Sequence, residues 1–410
     1  MNQPPSDWPL EVPHPQSLPP LPLAQAIRSY YLPCPSVGLT YHVLESVPAG
    51  TPSQPSQPTD SLPLILLLHG FPELAFSWRK VMPSLATRTG SRVVAVDQRG
   101  YGRTAGWDAR PHDRVDMRQF GLTSLVRDVV VLAHALGCDA AAGVRCVVGH
   151  DFGAVVAALC SLMRPDLFRR VATMSHPLGR PGALPETGSA ARGDIHAALA
   201  ALPRPRKHYK WYNASARAAS DWAQPVQGMP AFLRGYLHVK SGDWAGVVAN
   251  RPRPLPGGWA AGALAAMPDF YIMPADASMP EAVARMMAAE PEGARERTRA
   301  WMSDGELGVY VDEWHRTGFQ GALNWYRTVT ERGRSADLAL FAGKKVEVPA
   351  TFVSGELDWG NFQEPGVLEG LDEVFSDFKG VKMIEGAGHW VQQEKPDEVV
   401  DALVQFIEQT

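Results

Sequence analysis

Asp151 stands in the run Gly149-His150-Asp151-Phe152-Gly153-Ala154, directly after the apolar stretch Val144 to Val148. A strand, a tight turn of small residues and a small-residue helix make the layout of a nucleophile elbow, which lifts one side chain at the C-terminal edge of a sheet. Gly149, Gly153 and Ala154 suit the close backbone approach that such a turn requires. The usual occupant of the raised position is Ser, yet no Gly-x-Ser-x-Gly occurs in the chain. A carboxylate changes the chemistry. It is ionised near neutral pH and attacks without first losing a proton. With an sp³ carbon it forms an ester that water can cleave at the carbonyl carbon, where Ser would form a stable ether. Epoxides and haloalkanes are the electrophiles this logic selects.

Two further residues complete a triad. Asp358, in Gly355-Glu356-Leu357-Asp358, follows the strand-like segment 348–353, and His389, in Gly386-Ala387-Gly388-His389-Trp390, follows the segment 381–384. Nucleophile, acid and His thus come in the chain order expected behind such an elbow, each at the C-terminal end of a strand. His389, oriented by Asp358, would activate the water of the second step. Backbone N–H groups of Phe71 and Phe152 would stabilise the tetrahedral oxyanion. An epoxide leaves as an alkoxide and needs a proton donor; Tyr209, Tyr212, Tyr310 and Tyr326 are the candidates, and the residue pattern alone does not choose among them.

The elements that must position these groups are legible in the hydrophobic pattern. Strands are expected at 38–47, Leu64–Leu68, Arg92–Val96, Val144–Val148, 348–353 and 381–384, and helices over about 76–85, over 123–136 and from Ala154. Continuous apolar strands alternating with amphipathic helices indicate a parallel sheet covered on both faces. Pro48–Pro63 reads as an exposed hairpin insertion. The alternation stops after Ser175-His176-Pro177 and resumes near Val348; the intervening chain, rich in Ala, Met, Trp and Pro, reads as helices and long loops. The expected fold is α/β, a mostly parallel, doubly wound sheet with an inserted helical lid. Its parts are a Pro-rich arm (1–37), core (38–178), lid (179–335) and the rest of the core (336–410).

The bulk properties exclude several functions. A net charge of −4 over 410 residues, with no long Lys/Arg run, argues against nucleic-acid binding. The densest basic group, Arg204, Arg206, Lys207 and Lys210, reads as a solvated face. The apolar run Leu64–Leu68 is far too short to span a bilayer, and the N-terminus has no signal-peptide pattern. Cys34, Cys138, Cys146 and Cys160 lack metal-site spacing. A cytoplasmic protein with reduced thiols, no metal and no cofactor is expected.

With these residues in view the chain resembles the soluble epoxide hydrolases of the α/β-hydrolase family. The carrying motifs are His69-Gly70-Phe71-Pro72-Glu73 with Ser77-Trp78-Arg79, Asp97-Gln98-Arg99-Gly100-Tyr101-Gly102, the elbow, Gly318 to Arg327, and Gly388-His389-Trp390. The resemblance implies that Tyr326, within Asn324-Trp325-Tyr326-Arg327, is one lid proton donor. It places the second on Tyr209, with Tyr212 as the alternative. It also implies a cis peptide before Pro72, a small hydrophobic epoxide and water as the reactants, and Phe71, Pro72, Trp78, Phe152, Tyr212, Trp325 and Trp390 as substrate-binding residues, in a monomer or homo-oligomer. Most members carry Trp where this chain has Phe152. Neither Phe152 nor Phe71 has a side-chain donor for halide, which disfavours the haloalkane or haloacid dehalogenase alternative. A non-catalytic ligand receptor on the same fold would not need the complete triad.

Overall fold

The computed structural model describes residues 17–50, 62–179 and 194–410. Among these residues eight strands form one sheet in the order β1-β2-β4-β3-β5-β6-β9-β10. These are β1 (Arg28–Cys34), β2 (Leu39–Ser46), β3 (Leu64–Leu68), β4 (Arg92–Val96), β5 (Val144–His150), β6 (Val171–Met174), β9 (Val346–Gly355) and β10 (Phe375–Ile384), with β7 (Arg206–His208) and β8 (Ile272–Pro274) lying outside the sheet. β1 and β2 run antiparallel to their neighbours, and every other pair is parallel.

Every residue of β3 and β4 is buried. That follows from their continuous apolar sequence, since a parallel strand covered on both faces needs no polar alternation. One face packs on α1 (Met82–Thr89) and the C-terminal helix Pro396–Gln409, through residues such as Ile65, Leu67, Met82, Leu85, Leu403 and Ile407. The other packs on α2 (Leu122–Ala135) and α3 (Phe152–Met163) through Leu66, Leu68, Leu125, Leu132 and Val156. α3 is buried from Phe152 to Leu162, as an all-apolar helix must be. Its N-terminus therefore projects from the middle of the sheet.

β6 and β9 are adjacent and parallel, so the chain between them leaves the sheet as one insertion. It is mainly helical, including Met229–Val239, Met279–Ala288, Asp304–Thr317 and Gln320–Thr330. Its apolar residues join the same core cluster as α2 and α3.

Four expectations are corrected. The Pro-rich arm yields an edge strand, β1, because seven residues of it complete their hydrogen bonds on β2. The insertion holds a short antiparallel pair, β7 (Arg206–His208) with β8 (Ile272–Pro274), which propensity over three residues does not reveal. The helix expected at 76–85 divides into a 3₁₀ turn, Ala75–Trp78, and α1, with Pro83 in the first turn of the helix. The segment after β2 is not a hairpin, since β2 pairs with β1 and β4 while β3 lies beyond β4; residues 51–61 are outside the described residues. No helix among the described residues is long and apolar enough to cross a membrane.

Candidate active site

The elbow forms between β5 and α3. Asp151 has φ +52° and ψ −117°, in the region that side chains disfavour. It is held there because its N–H donates to the Met174 carbonyl (3.0 Å) and its carbonyl accepts from the Ala154 N–H (3.0 Å). The small residues around it have no substitute. A Cβ on Gly149 would lie 2.0 Å from the Gly153 carbonyl oxygen, and one on Gly153 would lie 2.2 Å from that of Leu68. Both neighbours are backbone and cannot swing aside. Gly153→Ala is therefore expected to destabilise the fold by about 3 kcal/mol, read as a lowered midpoint in denaturant; an unchanged midpoint would contradict this packing.

The triad assembles around the turn. His389 Nδ1 and Asp358 Oδ2 are 2.9 Å apart, and the Gly360 N–H donates to Asp358 Oδ1 at 2.6 Å. His389 Nε2 lies 3.6 Å from Asp151 Oδ2 and has no hydrogen-bond partner. The other nucleophile oxygen, Oδ1, accepts the Phe71 N–H at 3.1 Å, where the Phe71–Pro72 peptide is cis. Phe152 opens α3, and its N–H makes no hydrogen bond to Asp151. Burial opposes the charge on Asp151, but His389, Lys240 and His176 outweigh it and hold the carboxyl well below the usual range.

Lys240 is a buried cation that sequence reasoning missed. Its Nζ lies over the rings of Tyr271 (5.1 Å), Trp390 (5.1 Å) and Tyr236 (5.4 Å), and forms no ion pair with a carboxylate among the described residues. Its carbonyl also accepts the His389 N–H at 2.8 Å, so the insertion touches the catalytic loop through its backbone. Beneath the site, Glu73 Oε2 pairs with His150 Nδ1 at 2.6 Å, and His150 Nε2 lies 2.7 Å from the His389 carbonyl. Both side chains are buried.

Among the four tyrosines the structure separates roles. Tyr310 Oη is engaged by Ser77 Oγ (2.8 Å) and Gln393 (3.3 Å). Tyr212 donates to Asp221 and accepts from the Met279 N–H, both within the insertion. The Tyr326 ring stands edge-on to Phe152 (4.8 Å) and Phe71 (5.4 Å), over the elbow, and among the described residues its hydroxyl has no hydrogen-bond partner. Tyr209 faces it, ring centroids 5.8 Å apart. Burial pushes both phenols well above their ordinary range.

A cavity of about 220 Å³ reaches Asp151. Phe152, Val155, Leu159 and Leu178 give it apolar walls, with Tyr209, His176, Lys210 and Glu364 as polar ones. The other expected substrate-binding residues do not border it. Trp78 packs with Val81 and Met82 on the opposite face of the sheet, where an indole buried by α1 cannot reach the site. Trp325 lies behind Phe152 (5.6 Å) and donates to the Arg99 carbonyl. Trp390 lies behind His389 (4.6 Å) and donates to the Leu237 carbonyl. Pro72 accepts from Trp314 Nε1, and Phe71 packs against Trp222 and Tyr326. Tyr212 points to Asp221. The basic cluster is not a solvated face either: Arg206 is buried against Asp269, and Lys210 pairs with Glu364.

A family model described as alpha/beta hydrolase fold matches residues 63–396. Epoxide hydrolase B of Mycobacterium tuberculosis is 32% identical over 361 residues, 86% of this chain and 93% of its own. Epoxide hydrolase A of the same organism is 32% identical over 357 residues, covering 84% and 90%. Among solved structures, an epoxide hydrolase from an endophytic Streptomyces superposes with a TM-score of 0.68 at 28% identity, over 94% of this chain and 96% of that one. Potato (Solanum tuberosum) epoxide hydrolase I gives 0.67 at 27% identity, over 94% and 100%.

Proposed function

The chain belongs to the α/β-hydrolase fold family and is an epoxide hydrolase, and from that premise we propose that it makes vicinal diols through a covalent ester on Asp151. Asp151 Oδ2 attacks a ring carbon, the C–O bond breaks, and the departing oxygen takes a proton from Tyr209 or Tyr326. Oδ1, in its contact with the Phe71 N–H, becomes the ester carbonyl oxygen. His389 then removes a proton from water, which adds to the carboxyl carbon while Phe71 and Phe152 N–H groups stabilise the oxyanion. Collapse expels Oδ2 with the diol, protonated by His389. The second proton of the water leaves the regenerated Asp151 and restores the tyrosine.

The observation that carries this reading is a carboxylate, not a hydroxyl, on an elbow backed by a bonded His389–Asp358 pair. The apolar walls of the cavity support a small hydrophobic epoxide. Dehalogenation fits less well, because the indole N–H groups of Trp314, Trp325 and Trp390 each donate to a backbone carbonyl and these three are not free to hold halide. A ligand receptor would have no use for the His389 Nε2 that stands unpartnered beside Asp151. A single turnover in ¹⁸O-water tests the reading. The first diol should carry no label and Asp151 should acquire it; label in the first diol would mean direct attack by water.

The same reading takes 179–335 as the lid. It places the enzyme in the cytoplasm as a monomer or homo-oligomer; the four cysteines, free and buried, support a reducing setting.

A further inference from the structure

Three buried polar side chains from three separate elements form a chain, and the reaction above assigns a role only to Tyr209. The Tyr209 O–H donates to Gln363 Oε1 at 2.7 Å, and Gln363 Nε2–H donates to His176 Nδ1 at 2.6 Å. Tyr209 comes from the insertion, Gln363 follows Asp358 by five residues, and His176 lies just past β6. Gln363 is 1% exposed, and Tyr209 and His176 both border the cavity of Asp151. Ser175, immediately before His176, has φ +55°, a conformation a side chain adopts only when the surroundings enforce it. Burying an amide is unfavourable unless both ends are bonded, and here both are.

The amide has two ways to satisfy its neighbours. With its oxygen toward Tyr209, the tyrosine proton is held on Gln363 and is withheld from an epoxide. Rotated by half a turn, its NH₂ donates to Tyr209 Oη and its oxygen accepts Nδ1–H from His176, using the same heavy-atom positions. The Tyr209 proton is then free to point into the cavity. His176 can serve either arrangement. Burial, with Lys210 nearby, pushes it down to about 4, so near neutral pH its ring carries one proton and the tautomer follows the amide.

We propose that Gln363 and His176 are positioning residues for the ring-opening step, turning the Tyr209 proton toward the epoxide oxygen and bonding the phenolate left behind. This rests on Tyr209 being a proton donor. As the carbon–oxygen bond breaks, the Tyr209 proton moves to the leaving oxygen and the negative charge moves to Tyr209 Oη. Gln363 Nε2–H donates to that oxygen, and no proton crosses the amide. The charge needs such a donor, since burial disfavours the phenolate. Among the described residues Tyr326 has no equivalent chain, so the two hydroxyls are unequal: Tyr209 supplies the proton and Tyr326 a hydrogen bond.

The test measures ester formation and ester hydrolysis separately, by single-turnover kinetics with a styrene oxide. Gln363→Met should slow ester formation by about 10- to 100-fold and change ester hydrolysis less than about twofold. In a Tyr209→Phe background the same substitution should add nothing, because its effect passes through the tyrosine. His176→Phe, which keeps Gln363, should slow the same step to a lesser degree, and serves if Gln363→Met does not fold. Were Tyr209→Phe alone to leave ester formation unchanged, the assignment of Tyr209 would fall and the proposal with it. If Tyr209→Phe slows that step but neither Gln363→Met nor His176→Phe does, the proposal alone is overturned. It is equally overturned if the effects multiply in the double variant.

Discussion

Asp151→Asn is expected to lower epoxide turnover by about 10⁴-fold or more while the protein stays folded. The carboxamide has the shape of the carboxylate and keeps an oxygen for the Phe71 N–H, so the elbow retains its contacts. What disappears is the charge that attacks. Water alone, even aided by His389, would have to open the ring from a site whose donors are arranged around a carboxylate. The rest of the electrostatics points the same way: Lys240 contributes to holding Asp151 ionised, and that field has no use for a neutral amide. Initial rates together with a denaturant midpoint check the result. A variant that keeps a tenth of the activity would show that His389 delivers water directly and that no ester is needed.

The second large effect is a separation of the two steps. His389→Gln should still form the ester, because attack by Oδ2 needs no base, but should hydrolyse it about 10³- to 10⁴-fold more slowly. The enzyme then consumes one equivalent of epoxide and stops. Intact-protein mass should rise by the mass of the epoxide, and digestion should place the increment on the peptide carrying Asp151. Asp358→Asn should act on the same step, since the carboxylate 2.9 Å from Nδ1 fixes the imidazole so that Nε2 accepts the water proton. Steady turnover by His389→Gln, or absence of any adduct, would refute the assigned order.

The sequence made Asp151, Asp358 and His389 readable because each sits where a local pattern changes: an apolar strand ends, and a loop with Gly begins. Local patterns also suffice for β3, β4 and β5, which are rich in apolar residues and short enough to end at a visible break. They do not suffice where a residue's partner is distant. Tyr209 and Tyr212 lie about one turn apart and are equally buried, and it takes the positions of Asp221, Tyr326 and Gln363 to tell them apart. Trp78 reads as a pocket residue by its place in a motif, yet the sheet separates it from Asp151. His176, Gln363 and Lys240 carry no motif at all; their meaning comes from contacts across 187, 154 and 149 positions, with Gln363, Tyr209 and His389 respectively. β1 was hidden for a related reason, since its hydrogen bonds belong to β2 and Pro33 within it suggests none.

The backbone contact between the insertion and the His389 loop bears on how such enzymes can be recombined. The Lys240 carbonyl bonds the His389 N–H, Glu394 accepts N–H groups from both Gly242 and Gly388, and a Cβ on Gly388 would lie 2.4 Å from the Ser241 carbonyl carbon. The insertion is thus a structural neighbour of the base as much as a roof over the substrate. A chimera that grafts a foreign lid for its pocket walls also replaces one support of the histidine. Segments meant for exchange should therefore keep Lys240 to Gly242 with the host, and recruit new specificity from the parts of the lid that never meet the catalytic loop.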